Sequence, residues 1–124
     1  MKKGFTLVEL LGVIVILGII ATLTVPLIQR TIIEKNEEAY NLQIKSFEDA
    51  AKNWANDHIY ELTCENTCVN PPLKTLTIEE LQKEGFLDDG EINNPKGGKF
   101  NTQNYVTITK VDGKYKYTYD KNQD

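Results

Sequence analysis

Hydrophobic positions along the chain follow two patterns that meet near residue 30. From Leu10 to Gln29 the chain holds 20 uncharged residues in a row, dominated by LLGVIVILGIIATLTVPLI. At 1.5 Å rise per residue a helix of that length covers about 30 Å, the thickness of a bilayer core. The run is apolar all round, and the rest of the chain is too small to surround such a cylinder, so the pattern predicts a membrane span rather than a buried helix. A cleaved secretory signal has a shorter apolar region ending in small residues. Beyond the span the pattern changes period. Tyr40, Ile44, Phe47, Ala51, Trp54, Ala55, Ile59 and Leu62 recur at steps of three and four, with charged and amide residues between them. This predicts an amphipathic continuation, so that one helix runs from about Phe5 to Leu62.

The last third of the chain reads differently again. Asn70-Pro71-Pro72 interrupts regular structure. Thr77 then stands as an N-cap with Glu80 three residues on, and Gly85 as a stop, which predicts a short helix from about Ile78 to Glu84. Tyr105–Val111 and Lys114–Tyr119 alternate around Asp112-Gly113, a hairpin signal with a two-residue type I′ turn. Pairing Val111 with Lys114 sets Ile108 opposite Tyr117 and Val106 opposite Tyr119 on one apolar face, and Thr109 opposite Lys116 and Thr107 opposite Thr118 on a wet one. Phe100 is a candidate start for another short strand. The predicted fold class is α+β: a long N-terminal helix with a small antiparallel sheet packed on its second half.

Composition sharpens the division. Apolar residues fill 17 of the 24 positions from Phe5 to Ile28 but only 32 of the 96 from Gln29 onward, so the mean of 40% describes neither part. The net charge is −4, and the first 30 residues carry +2 of their own, leaving an acidic body that is a poor non-specific ligand for DNA or anionic lipid. Within that body, residues 34–91 hold 5 basic and 14 acidic groups, whereas residues 96–121 hold 6 basic and 2 acidic. This polarity reads first as two solvated faces; the sharper alternative is that the hairpin of one copy meets the acidic helix of the next, and a basic tip touching DNA is the weaker third. Two cysteines and one histidine exclude a four-ligand zinc site made of Cys and His. His58, at the edge of the helical stripe, has no second histidine or nucleophile partner and reads as a packing or capping residue; no constellation supports an enzyme or a cofactor. Asp88-Asp89-Gly90-Glu91 lacks the alternating spacing of a calcium loop and reads as a solvated turn. Cys64 and Cys68 follow the expected helix end, and in an oxidising compartment they are expected to pair locally and pin the helix exit.

Glu9 is the residue that apolar patterning does not explain. A carboxylate carried into the bilayer centre costs roughly 2.5–3.5 kcal/mol, so it needs a partner or a function, unless it rests in the headgroup zone where the helix dipole favours it. Lys2-Lys3-Gly4-Phe5-Thr6-Leu7-Val8-Glu9, running directly into the apolar stretch, resembles the prepilin signal of type IV pilins and type II secretion pseudopilins. The resemblance implies that a prepilin peptidase cuts between Gly4 and Phe5 and N-methylates Phe5. It also implies that Glu9 pairs with the new Phe5 amine, within a chain or between neighbours, and that Gly18 and Pro26 occupy positions where the family places helix breakers. That stretch is either a kinked but intact span or one that is continuous in the bilayer and partly melts in a filament.

The chain then divides into a leader at 1–4, a transmembrane and assembly helix at 5–29, an exported amphipathic half at 30–62, and a head of loop, short helix and hairpin at 63–124. Lys2 and Lys3 before the span place the N-terminus in the cytoplasm and the body outside. The partners implied are sister pilin subunits, the prepilin peptidase, and an assembly platform protein with its ATPase-driven machine. The function this resemblance implies is a structural subunit of a type IV pilus or pseudopilus filament; its two rivals are a minor pilin that primes or tips a filament and binds DNA or a secretion substrate, and a single-span anchored binding domain that never polymerises. A single arginine against abundant Lys, Asn and Ile hints at a low-GC Gram-positive source and a competence- or secretion-type pseudopilin.

Overall fold

The computed structural model describes Gly4 and residues 6–124. Its first helix, α1, spans Leu7–Asp57, and the chain divides into two compact units, Met1–Asn36 and Glu37–Asp124. In the first unit no described residue is buried, and its most apolar window has a mean hydropathy of 2.7. The helix is unbroken at Gly18 and Pro26. Pro26 lacks an N–H, so the carbonyl of Thr22 loses its helical partner. The neighbouring hydroxyls do not replace it: Thr22 Oγ1 donates to Ile19 O at 2.7 Å and Thr24 Oγ1 to Ile20 O at 2.9 Å, the usual back-bonding of helical threonines.

In the second unit α1 contributes Tyr40, Ile44, Phe47, Ala50, Ala51, Trp54 and Ala55 to one core. The predicted stripe is present, with one correction at its end. The α-helix stops at Asp57 and a 3₁₀ turn covers Ile59–Glu61. The His58 N–H is shared between the carbonyls of Trp54 and Ala55, and its ring Nδ1 lies 2.8 Å from Trp54 O. Tightening to three residues per turn rotates the following side chains relative to the stripe. Ile59 is therefore 41% exposed, while Leu62 still reaches the core.

The sheet has three antiparallel strands in the order β1-β2-β3: β1 is Lys74–Thr77, β2 Tyr105–Val111 and β3 Lys114–Tyr119. The hairpin register agrees with the sequence reading at all six pairs. Asp112 and Gly113, at φ 50° and 78°, supply the two positive φ values that a type I′ turn requires. The helix α2, Ile78–Lys83, is capped by Thr77, whose Oγ1 accepts the Glu80 N–H at 3.1 Å, and it ends before Gly85 at φ +85°. Strand β1 was not legible in the pattern, because Lys-Thr-Leu-Thr offers a single apolar residue. It forms because Leu76 pairs with Val106 and is sealed into the core. Phe100 starts no strand; beside it lies only an isolated bridge between Asn93 and Lys99. Its ring instead packs at 5.0 Å edge-on to Phe47 and 6.0 Å from Tyr40.

Two connections tie the end of the chain and the Cys loop to this sheet. Cys64 and Cys68 are joined in a disulfide with Cα atoms 6.4 Å apart. The bridged loop continues the line of β1 along β2: Cys68 and Lys110 exchange both backbone hydrogen bonds, and Lys110 Nζ donates to Cys64 O at 2.8 Å. The loop also receives the hairpin turn. Gly113 N–H donates to Asn66 O and Asp112 N–H to Thr67 Oγ1. At the opposite end, Gln123 mimics a strand partner by accepting from Tyr105 N–H and donating to Tyr105 O.

Candidate processing and assembly site

Of the residues singled out for processing and assembly, Gly4, Glu9, Gly18 and Pro26 lie among those described, and Phe5 lies outside them. Glu9 has a local role that patterning missed. Thr6 Oγ1 accepts the Glu9 N–H, and Glu9 Oε2 accepts the Thr6 N–H, both at 3.2 Å. This is a capping box, Thr-x-x-Glu, in which two otherwise orphaned N–H groups at the start of a helix are satisfied reciprocally. The signal was in the sequence, since Thr6 stands three residues before Glu9 at the edge of an apolar run. Glu9 is thereby held at the first turn of α1, where the positive end of the helix dipole favours a carboxylate.

Beside the carboxylate the surface is apolar. Glu9, Leu10, Gly12, Val13 and Ile16 line an open groove along this helix. Gly12, one turn after Glu9, has nothing within 4 Å of where a Cβ would stand, so the backbone is bare there. A charged group flanked by a groove of this kind can receive a neighbouring apolar helix and offer one polar contact to it.

The acidic turn does not gather into an ion site. Among the described residues no group of three or more His, Cys, Asp or Glu is arranged to hold a metal. The turn's backbone is bound elsewhere: Gln82 Nε2 donates to Asp88 O at 3.0 Å and to Gly90 O at 2.8 Å. His58 stacks on Trp54 with ring centroids 4.1 Å apart. The Trp54 indole N–H is buried without a partner among the described residues.

One polar cluster in the second unit was not legible in the sequence, because Tyr40 and Asp124, which it joins, are 84 residues apart. The Asp124 carboxylate accepts from the hydroxyls of Tyr40 and Tyr119 and, at 3.2 Å, from Asn104 Nδ2. It joins α1 to the sheet. Burial first, then the hydrogen bond to Asp124 and the negative charge beside it, pushes the Tyr40 hydroxyl from 10.0 up to about 12. Tyr119 is raised for the same reasons. A raised folded value means that these phenols favour folding while protonated. Their contribution is complete below pH 10 and is lost as the pH climbs toward the folded value. The second unit should therefore weaken between pH 10 and about 12, and Tyr40→Phe should flatten that loss while lowering stability at neutral pH by about 1.5–3 kcal/mol. Denaturant midpoints of the full-length protein in detergent, read by near-UV circular dichroism against pH, check this; an equally steep alkaline loss in Tyr40→Phe would contradict it.

With the geometry in hand, the comparisons with known proteins give one positive finding. Residues 1–25 match the family model described as the prokaryotic N-terminal methylation motif, the type IV pilin and pseudopilin signal. No curated protein and no solved structure matches the chain. The molecule thus joins that signal to an α+β fold of pilin-like type, a long N-terminal helix with an apolar span and a small three-stranded antiparallel sheet. The chain carries the N-terminal methylation motif of type IV pilins and pseudopilins, and the apolar helix behind it is long enough to serve as a membrane anchor.

Proposed function

We propose that this protein is a structural subunit of a type IV pilus or pseudopilus filament, with no enzymatic role. It is inserted in the cytoplasmic membrane with its N-terminus inside and its second unit outside, cut between Gly4 and Phe5 by a prepilin peptidase, and methylated at Phe5. An assembly platform and its ATPase-driven machine then extract it into a filament of sister subunits held together by their N-terminal helices. The observation that carries this reading is the 25-residue methylation motif continuing into the apolar first part of α1, where no described residue up to Ala39 is buried. Cutting before the span keeps the span in the mature protein, and a surface of that size is covered first by lipid and then by sister helices.

Glu9 supplies the polar contact. Once cleavage creates an amine at Phe5, the carboxylate has a cation to meet in an apolar setting, where a charge pair sets register more than it adds stability. The test combines mass spectrometry of the mature N-terminus with imaging of sheared surface filaments. Methyl-Phe5 as first residue, in filaments that contain this chain, is the expected result. A mature chain that still begins at Met1, or one that is processed and never found in filaments, overturns the reading.

A further inference from the structure

In the second unit, the strand register turns alternate residues of the sheet away from the core. Across all three strands this outer face carries no acidic residue. Its hydroxyls come from threonines and Tyr105, with Thr75, Thr107 and Thr118 in one row, and its only charges are Lys114 and Lys116. Four of the six lysines between residues 96 and 121 are engaged inside the unit: Lys96 over the Tyr40 ring, Lys99 with Glu91, Lys110 with Cys64 O, and Lys121 with Asn41. Lys114 and Lys116 are exposed, and among the described residues their ammonium groups have no ion pair, hydrogen bond or ring contact. The sheet therefore presents an unpartnered basic, hydroxylated face.

A segment of complementary charge exists on the same chain, with Lys74 and Lys83 beside Glu80 and Glu84. Residues 79–91 hold six acids against Lys83, a net of −5. Glu79 is occupied by Lys83 and Gln103, and Glu91 by Lys99. Glu80, Glu84, Asp88 and Asp89 stay exposed and outside any ion pair among the described residues. The two hydrogen bonds from Gln82 to the turn backbone bind the turn carrying Asp88 and Asp89 to α2. The acids of α1 in this unit are interleaved with Lys45 and Lys52, so they form no surface of comparable single sign.

We infer that the outer sheet face, through Lys114 and Lys116, docks on the acidic segment of a second copy of this chain that carries Glu80, Glu84, Asp88 and Asp89. A face with one sign of charge cannot pair with itself across a two-fold axis. It fits a different patch on the neighbour, and such a heterologous contact repeats along an open helical array instead of closing into a dimer. Nucleic acid is the poorer occupant, because two unengaged lysines neutralise about two phosphates and the remaining surface repels polyanions. The contact sets orientation and assembly rate; the apolar helices supply affinity. This inference rests on the filament reading above and specifies which surfaces meet.

The test uses the full-length protein in the cells that assemble it and, separately, in lipid vesicles. In cells, Lys114→Glu with Lys116→Glu should cut filament yield about 10-fold, as should Glu80→Lys with Glu84→Lys. The four changes together should recover most of it, and the substituted positions are all exposed, so the fold is spared. In vesicles, carbodiimide should couple Lys114 or Lys116 to the acidic segment of another copy, and raising salt from about 50 mM to about 500 mM should suppress it. Wild-type yield in the reversal variants, or coupling that never involves these lysines, overturns the docking while filaments still form. Loss of binding to labelled DNA with unchanged filament yield in the lysine variant also overturns it, in favour of nucleic acid. Processed wild-type protein that makes no filaments while the intermolecular coupling persists overturns the filament reading and upholds the contact.

Discussion

Glu9→Gln should leave processing, membrane level and helix content at wild type while lowering filament yield about 10- to 100-fold. The prediction turns on the capping box. A glutamine at this position keeps an acceptor for the Thr6 N–H, so the first turn of α1 stays capped. What it loses is the charge, and a charge-assisted hydrogen bond in apolar surroundings contributes about 1.5–3 kcal/mol. Thr6→Ala is the complementary variant: it removes the hydroxyl that accepts the Glu9 N–H, at a cost of about 0.5–2 kcal/mol, and retains the carboxylate. If the carboxylate serves only as a cap, Thr6→Ala is the more damaging of the two and Glu9→Gln is silent in sheared-filament yield. If it pairs with the Phe5 amine of a neighbour, the order reverses. Glu9→Ala alone would remove cap and charge together and so could not separate these roles.

The largest stability effect is expected from Phe47→Ala. Phe47 is fully buried, with the Phe100 ring 5.0 Å away edge-on and the Tyr119 ring at 5.5 Å. Truncating a phenylalanine at such a site removes its transfer energy and leaves a cavity, a cost of about 3–5 kcal/mol. A unit of roughly 90 residues is stabilised by about 4–13 kcal/mol in total, so the variant should melt more than about 10 °C below wild type and lose protease resistance beyond residue 36. Leu42→Ala, on the same helix but 63% exposed, is the control and should shift the melt little. Thermal melts and limited proteolysis of the full-length protein in vesicles read both. A Phe47→Ala melt within a few degrees of wild type would mean that the cluster around Phe47, Phe100 and Tyr119 does not hold the head to its helix stripe.

The parts of the fold that were legible in advance are those whose signals are local. The span follows from 20 successive uncharged residues, and the amphipathic stripe from steps of three and four. Hairpin register was readable because Asp112-Gly113 demands one turn type, and a two-residue turn pins every pair behind it. The short helix was equally clear, since Thr77 and Gly85 mark both its ends. The Thr6 and Glu9 box is equally local, since the simplest partner of the Glu9 carboxylate is the Thr6 N–H three residues before it.

The remainder depends on groups distant in sequence. Strand β1 has one apolar residue and becomes a strand only through β2, more than 25 positions on. Phe100 looked like the start of a strand and is a ring wedged between residues of α1. No pattern announces that Asp124 joins Tyr40, Tyr119 and Asn104, nor which lysines of the basic segment are already occupied. By itself the sequence determined the processing signal, the span, the helical stripe and the hairpin, because periodicity, caps and turns act over a few residues. Tertiary structure alone decided where α1 gives way to a 3₁₀ turn, what completes the sheet, and which charges have no partner among the described residues. Those outcomes rest on burial and pairing between segments whose proximity no local pattern encodes.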